Sequence, residues 1–163
     1  MAYASNGDVQ IFYEQFGLPG RPVLLLINGL GSQCINYAAE WCERFAAEGY
    51  LVVRFDNRDV GLSTKLEGVT YRLADMAADA VAVLDAVGAR RAHVLGCSMG
   101  GMIVQRLAID HPDRLLSMTS VMSRTGEAGF GESSPEALAV LTAPPAASRD
   151  EYVERQVAAH AVY

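Results

Sequence analysis

The chain contains the stretch Gly96-Cys97-Ser98-Met99-Gly100-Gly101 between two segments of different pattern. Residues 91–95 before it are a short run of strand formers, and residues 102–109 after it have apolar side chains at helical spacing. A strand that runs directly into a helix places Ser98 at a sharp corner, where flanking glycines prevent backbone clashes. The hydroxyl then lies above the sheet edge, beside the positive helix N-terminus. This arrangement is typical of a nucleophile; the simpler alternative is a glycine-rich turn with an incidental serine.

Strands and helices alternate on both sides of this stretch. Asn6-Gly7-Asp8 predicts a tight hairpin between two antiparallel strands at the start of the chain. Alternation after an antiparallel start predicts an α/β protein with a mostly parallel sheet and helices on both faces. The other predicted elements of this part are strands over residues 23–27, 50–55 and 115–122, and helices over residues 36–48 and 71–87.

The character of the sequence changes after Ser123. Residues 124–134 are rich in glycine and serine, and a short helix is predicted over residues 135–141. Ser148-Arg149-Asp150-Glu151 forms a capping-box pattern, which predicts a last helix that continues toward Val162. We therefore divide the chain into a core over residues 1–123 and a second segment over residues 124–163.

Two loops follow buried strands and complete the candidate site. Asn28-Gly29-Leu30-Gly31-Ser32 follows the strand at 23–27, and Asp56-Asn57-Arg58-Asp59-Val60-Gly61-Leu62-Ser63 follows the strand at 50–55. Ligands of open α/β sheets bind beyond the carboxyl ends of the strands. Both loops and Ser98 are predicted at that same edge.

Composition and charge exclude several classes of partner. The 163 residues are 51% hydrophobic and 20% charged, as in a globular protein with one core. The net charge of -6, without a basic cluster, argues against nucleic acid and anionic membrane surfaces as partners. No apolar run approaches the ~20 residues of a membrane span, and the N-terminus lacks a signal-peptide pattern.

The cysteines predict a reducing environment. Cys34, Cys42 and Cys97 are odd in number, form no Cys-x-x-Cys pair, and have no histidine cluster that would complete a metal site. Free thiols in the cytoplasm, without a bound metal, are the expectation.

The strand-to-helix corner Gly96–Gly100, which we call the elbow, and the two loops together resemble the α/β-hydrolase superfamily. The resemblance is to its cap-bearing esterase and haloperoxidase-like branch, and in particular to the aclacinomycin-type methylesterases. The resemblance covers residues 1 to about 123 well and the remainder weakly. It implies an α/β-hydrolase fold that is incomplete at the C-terminal side, with a helical cap beginning in residues 124–163. It also implies that Ser98 attacks the acyl carbonyl of a small-molecule ester. The backbone N–H groups of Leu30 and Met99 would then form the oxyanion hole, and no cofactor is implied.

The sequence departs from this family in two places. Asn28 stands where many relatives have histidine, with little expected effect because the oxyanion donor is backbone. In this superfamily the triad acid and base follow the nucleophile on loops after further strands, whereas 65 residues follow Ser98 here without such strands. A serine hydroxyl is a poor nucleophile without a base. We therefore expect the chain alone to be weakly active or inactive.

Four residues are candidates for the triad base or acid. His93 lies within a predicted strand and is expected to be structural, and His111 lies at a helix C-terminus, where a capping role is the simpler interpretation. His160 lies on the last predicted helix, which would bring it to Ser98 only by folding over the site. Glu127 follows the last strand, either as the acid or as a solvated loop charge.

Other charged and aromatic residues have structural interpretations. Asp56 and Arg58 are expected to pin their loop by a paired hydrogen bond. Asp75 and Asp79 are expected on the solvated face of a helix, and Trp41 in the core.

Two classes of function therefore remain. The first is a serine esterase that acts through an acyl-Ser98 intermediate, although lyases, cofactor-free haloperoxidases and thioesterases share the elbow. The second is a non-catalytic portion of such an enzyme, or a degenerate relative that binds without turnover. The strand predicted from Leu115 to Met122 would end the sheet as an uncharged apolar edge. Such an edge predicts self-association or pairing with a second polypeptide.

Overall fold

The computed structural model describes residues 2–144 and 146–159. Its strands are β1 (Ala2–Asn6), β2 (Val9–Phe16), β3 (Val23–Ile27), β4 (Leu51–Phe55), β5 (Ala92–Cys97) and β6 (Leu115–Val121). Its helices are α1 (Ala39–Ala47), α2 (Leu73–Ala86), α3 (Met99–Asp110), α4 (Pro135–Leu141) and α5 (Arg149–Ala159). Short 3₁₀ turns at Cys34–Asn36 and Pro112–Arg114 precede α1 and β6.

The six strands form one mixed sheet in the order β1-β2-β4-β3-β5-β6. The pairs β1–β2 and β2–β4 are antiparallel, and the remaining pairs are parallel. The first hairpin closes at the Asn6–Val9 pair through Gly7, whose φ of 59° suits a tight turn. The predicted α/β class, a mostly parallel sheet with an antiparallel start, is confirmed.

Helices cover both faces of the central strands. The larger core lies between α2, α3 and one sheet face, where Leu25, Val53 and Val94 are buried. On the opposite face Leu26 and Val52 pack with Cys42 and Trp41 of α1. This packing accounts for the continuous apolar run of β3 and for the apolar residues on both faces of β4, since strands buried on both faces do not alternate.

The chain separates into two compact units, Met1–Thr125 and Gly126–Tyr163. The first unit contains the sheet with α1, α2 and α3, and the second contains α4 and α5. Each helix of the second unit has a serine at its start. Ser134 Oγ accepts from the Ala137 N–H at 3.2 Å, and Ser148 Oγ accepts from the Glu151 N–H at 3.2 Å. The predicted extension of α5 toward Val162 lies outside the described residues.

Strand β6 is one edge of the described sheet, opposite β1, with β5 as its one neighbour in the order of strands. Leu115 is buried, whereas the six residues that follow it in β6 are exposed. Leu116, Met118 and Val121 are thus apolar side chains on an uncharged edge strand. The prediction that this strand ends the sheet is correct for the described part of the chain.

Among the described residues, no helix combines the length and the apolar character that crossing a bilayer demands. In the same residues, no three His, Cys, Asp or Glu side chains gather as a metal site would need.

Candidate active site

Ser98 occupies the corner between β5 and α3. Its φ of 55° and ψ of -122° lie in a region that non-glycine residues rarely adopt, at a typical cost of about 1–3 kcal/mol. Contacts on both sides maintain this conformation. The Ser98 N–H donates to Val121 O of β6 at 2.9 Å, and Ser98 O accepts from the Gly101 N–H at 2.9 Å. The predicted sharp strand-to-helix turn is therefore present.

Two glycines allow α3 to approach the sheet this closely. A Cβ on Gly96 would lie 2.1 Å from Gly100 O, and a Cβ on Gly100 would lie 2.1 Å from Ile27 O of β3. Both neighbours are backbone atoms that cannot rotate away. The first turn of α3, with the Met99 N–H, is consequently held directly against the ends of β3 and β5.

The loop after β3 passes beside Ser98. A Cβ on Gly29 would lie 3.2 Å from Ser98 Cβ and 3.6 Å from Ser98 Oγ. Among the hydrogen bonds of the described residues, none is donated by the Leu30 N–H or the Met99 N–H. Two amides without acceptors near one hydroxyl are what an anion-stabilising site requires. The Leu30 side chain itself is exposed.

Asp56 and Arg58 do not form the predicted pair. Asp56 Oδ1 accepts from the Cys34 N–H at 2.7 Å, and its Oδ2 accepts from the Leu62 N–H at 2.8 Å. Asp56 therefore fixes two loops by accepting from backbone N–H groups. Arg58 points instead toward α2, where Nη2 donates to Asp75 O at 3.2 Å and the guanidinium lies over the Tyr71 ring.

The prediction that Asp79 is solvated was wrong. Asp79 is 1% exposed and accepts two hydrogen bonds from Arg58, at 2.6 and 2.7 Å, and one from Asn6 Nδ2 at 2.8 Å. Asp75 is exposed, as predicted. Helical periodicity placed both residues off the apolar stripe, but the loop after β4 and the first hairpin cover α2 at Asp79.

Neither of the two histidines that the structure describes lies at Ser98 Oγ. His93 lies five residues before Ser98, about 16 Å along an extended strand, and its Nδ1 is 2.8 Å from Ser117 Oγ. His111 caps the far end of the 12-residue α3, about 18 Å from its start. Both positions agree with the structural interpretations. His160 lies outside the described residues, and Glu127 belongs to the second unit.

Asn57 is a site residue to which the sequence-based prediction assigned no role. Its buried amide donates from Nδ2 to Asn28 O at 3.1 Å, which joins the end of β4 to the loop beside Ser98. The available signal was its position directly after a buried strand, at the same sheet edge as Asn28.

The loop beside Ser98 ends at a buried thiol whose titration is strongly perturbed. Burial, followed by the nearby negative charge of Asp56, raises the pKa of Cys34 from 9.0 to about 12. Burial also raises the pKa values of Cys42 and Tyr37. All three groups therefore favour the protonated form in the folded state.

We expect folding stability to fall in alkaline solution. Because the pKa of Cys34 is higher in the folded chain, the unfolded chain loses this proton first as pH rises above about 9. The stabilisation is complete below pH 9 and is lost progressively toward pH 12, by at most about 1.4 kcal/mol per pH unit. Cys34→Ser should show a shallower decline in urea unfolding between pH 8 and 10.5. Parallel declines in the two proteins would contradict this assignment.

The sequence matches known hydrolases over most of its length. Residues 22–163 match the family described as alpha/beta hydrolase fold. Rhodomycin D methylesterase DauP from Streptomyces sp. (strain C5) is 36% identical over 94% of this chain and 58% of its own length. Putative carbamate hydrolase RutD from Caulobacter segnis is 44% identical over 64% of this chain and 40% of its own length. The chain thus spans a little over half the length of the methylesterase relative.

Solved structures agree with this match. A hydrolase from Pseudomonas aeruginosa PA01 superimposes with a TM-score of 0.75 and 26% identity, over 96% of this chain and 57% of that one. Est816, described as an N-acyl homoserine lactone degrading enzyme, superimposes with a TM-score of 0.73 and 29% identity over 95% of this chain and 54% of its own. The elbow at Ser98, the sheet order and these similarities lead to one conclusion: the chain belongs to the α/β-hydrolase fold family.

Proposed function

We propose that Ser98 is the nucleophile of a carboxylic-ester hydrolase. Ser98 Oγ attacks the ester carbonyl carbon, the bond to the leaving alcohol breaks, and the alcohol takes up the proton that the Ser98 hydroxyl loses. Water then attacks the acyl-Ser98 intermediate, which releases the carboxylic acid and regenerates the hydroxyl. The main support for this proposal is the strained backbone conformation of Ser98, which has a φ of 55° at the N-terminus of α3.

The Leu30 and Met99 N–H groups are the proposed oxyanion hole. Gly29 brings the Leu30 amide to Ser98, and Met99 opens the helix that follows the serine. Both amides are without an acceptor among the described residues, so they are available to the oxygen that becomes negative during attack. Loss of one such donor typically lowers the rate ~100- to 1,000-fold.

The proposed substrate is a small-molecule ester. Supporting relatives include two rhodomycin D methylesterases, of which the Streptomyces peucetius protein is 34% identical over 94% of this chain. The relatives also include a putative carbamate hydrolase from Caulobacter vibrioides and a 3-oxoadipate enol-lactonase from Acinetobacter baylyi. Residues 124–163 are proposed to begin a helical cap, since Gly126–Tyr163 forms its own unit with α4 and α5.

The second candidate function is binding without turnover. It is favoured by the absence of a hydrogen-bonded histidine at Ser98 among the residues that the structure describes. For this reason we expect the 163-residue chain to be weakly active at most.

A fluorophosphonate probe separates the two candidates. We expect the probe to label the wild-type chain slowly and stoichiometrically, as measured by intact-protein mass. The labelling should be lost in Ser98→Ala. It should be retained in the control Ser117→Ala, which replaces the serine whose Oγ is hydrogen-bonded to His93. Labelling that survives in Ser98→Ala would refute the assignment of the nucleophile. If the folded wild-type chain takes up no probe, Ser98 is not activated and the binding function is the better description.

We also propose that β6 is an association edge. Within the described residues β6 pairs only with β5, and its Leu116, Met118 and Val121 are exposed. A second copy, or another polypeptide that adds a strand, would cover it. Light scattering at increasing protein concentration should detect dimers, and Met118→Lys should reduce them without changing the far-UV spectrum. A wild-type chain that stays monomeric at high concentration would contradict self-association.

The proposed compartment is the reducing cytoplasm. Cys34, Cys42 and Cys97 are free thiols in the described part of the chain, and two of them are buried. Unpaired cysteines are typical of proteins that remain in reducing surroundings.

A further inference from the structure

The loop that carries the Leu30 amide has an exposed tip and buried ends. We call residues 28–34 the oxyanion loop. Leu30 is 68% exposed and Gly31 has a φ of 67°, so no side chain packs the tip in place. At the two ends Asn28 and Cys34 are buried. The position of the Leu30 N–H must therefore be set by hydrogen bonds that hold the loop ends.

Hydrogen bonds within the loop orient the Leu30 peptide. The Ser32 N–H donates to Gly29 O at 3.3 Å, and Asn28 Nδ2 donates to Gln33 O at 3.0 Å. In a trans peptide the carbonyl and the following N–H point in opposite directions. Because Gly29 O faces into the turn toward Ser32, the Leu30 N–H faces out of it.

Two side chains from the end of β4 tie this loop to the sheet. Asp56 Oδ1 accepts from the Cys34 N–H at 2.7 Å, and Asn57 Nδ2 donates to Asn28 O at 3.1 Å. Both side chains are 2% exposed, so water does not compete for these bonds. The bond from Asn57 fixes the Asn28–Gly29 peptide, directly before the peptide that holds the Leu30 N–H.

We propose that Asn57 is a positioning residue for the oxyanion hole. It does not touch the substrate. It holds the Asn28–Gly29 peptide so that the Leu30 N–H stays aligned with the oxygen that becomes negative during attack by Ser98. This inference rests on the proposed function for its catalytic consequence, whereas its structural part concerns only the order of the loop.

The structural part is tested by backbone NMR relaxation of the whole chain. In the wild type the Gly29 and Leu30 amides should have order parameters near those of a rigid backbone, about 0.85, and in Asn57→Ala below about 0.6. Thr64→Val is the matched control. It keeps the branched side-chain shape and removes hydrogen bonds from the same loop after β4, but those bonds, with the Gln10 N–H at 2.8 Å and Gln10 O at 3.3 Å, lead to β2 rather than to the oxyanion loop. The control should lower Tm and leave the Leu30 amide rigid.

The catalytic part is tested by the rate of fluorophosphonate labelling. In Asn57→Ala the rate should fall about 100-fold, while Thr64→Val labels at the wild-type rate. Asn57→Leu keeps the branched shape of the side chain and removes the donor, and it serves if the alanine variant does not fold. A rigid Leu30 amide in both Asn57 variants overturns the proposal, as does an unchanged labelling rate. The two proposals can fail separately. If the wild-type chain takes up no probe but the Leu30 amide becomes mobile in Asn57→Ala, the activity of Ser98 is refuted and the positioning role of Asn57 is supported.

Discussion

Gly96→Ala should abolish folding or lower the free energy of unfolding by on the order of 4 kcal/mol. The added methyl would lie 2.1 Å from Gly100 O, 2.3 Å from Gly100 C and 2.7 Å from the Gly101 nitrogen. All three are backbone atoms of the first turn of α3, so relief requires the helix to move away from β5. For a chain of this size the corresponding fall in Tm is roughly 10 °C, measured by thermal unfolding.

Gly68→Ala is the matched control for that substitution. Gly68 lies in the loop between β4 and α2, has a φ of 71°, and has no atom within 4 Å of an added Cβ. Its replacement carries only the cost of a left-handed backbone, about 1–2 kcal/mol. Equal losses in the free energy of unfolding would show that the elbow tolerates a side chain at Gly96, which would contradict the close packing of α3 against β5.

Asp79→Ala is expected to cost about 3–5 kcal/mol. The substitution leaves the Arg58 guanidinium, with a side chain only 7% exposed, without its carboxylate, and it removes the acceptor of Asn6 Nδ2. The loss of stability comes from the uncompensated buried charge of Arg58 rather than from the net stabilisation that the ion pair itself provides. Urea unfolding at constant m-value measures the loss.

A second aspartate on α2 provides the control. Asp85 accepts from Arg114 Nη2 at 2.6 Å but is 66% exposed, so Asp85→Ala should cost between 0 and about 1 kcal/mol. The double variant Arg58→Met/Asp79→Leu removes both buried charges and should recover most of the stability that Asp79→Ala loses. A loss in Asp79→Ala no larger than that in Asp85→Ala would show that the Arg58 pair is solvated.

These two contacts have different consequences for the site. Gly96 determines how closely α3 and the Met99 N–H approach the sheet. The Arg58–Asp79 pair attaches the loop after β4 to α2, and the adjacent Asp56 and Asn57 reach the oxyanion loop from that same loop. The second contact therefore connects the stability of the domain with the geometry next to Ser98.

The order of the elements and the corner at Ser98 were determined by the sequence alone. Turn and elbow signals are local: Gly7 supplies a φ of 59° in the first hairpin, and glycines on both sides of Ser98 permit a strand to enter a helix without clashes. Boundaries were less precise. The helix predicted over residues 36–48 begins at Ala39 after a 3₁₀ turn, because the preceding residues bond to Asp56 and to each other.

The partners of the polar side chains were decided only by the tertiary structure. Asp79 has the helical position of a surface residue, but residues 21 and 73 positions away in sequence supply its donors. Asp56 similarly accepts from the Cys34 N–H, 22 residues earlier, rather than from Arg58 two positions away. Sequence periodicity predicts which face of a helix or strand is apolar, because the residues of one face recur at a fixed spacing along the chain. Which loop covers a polar position depends on how strands pair in the sheet, and that follows from packing of the whole domain.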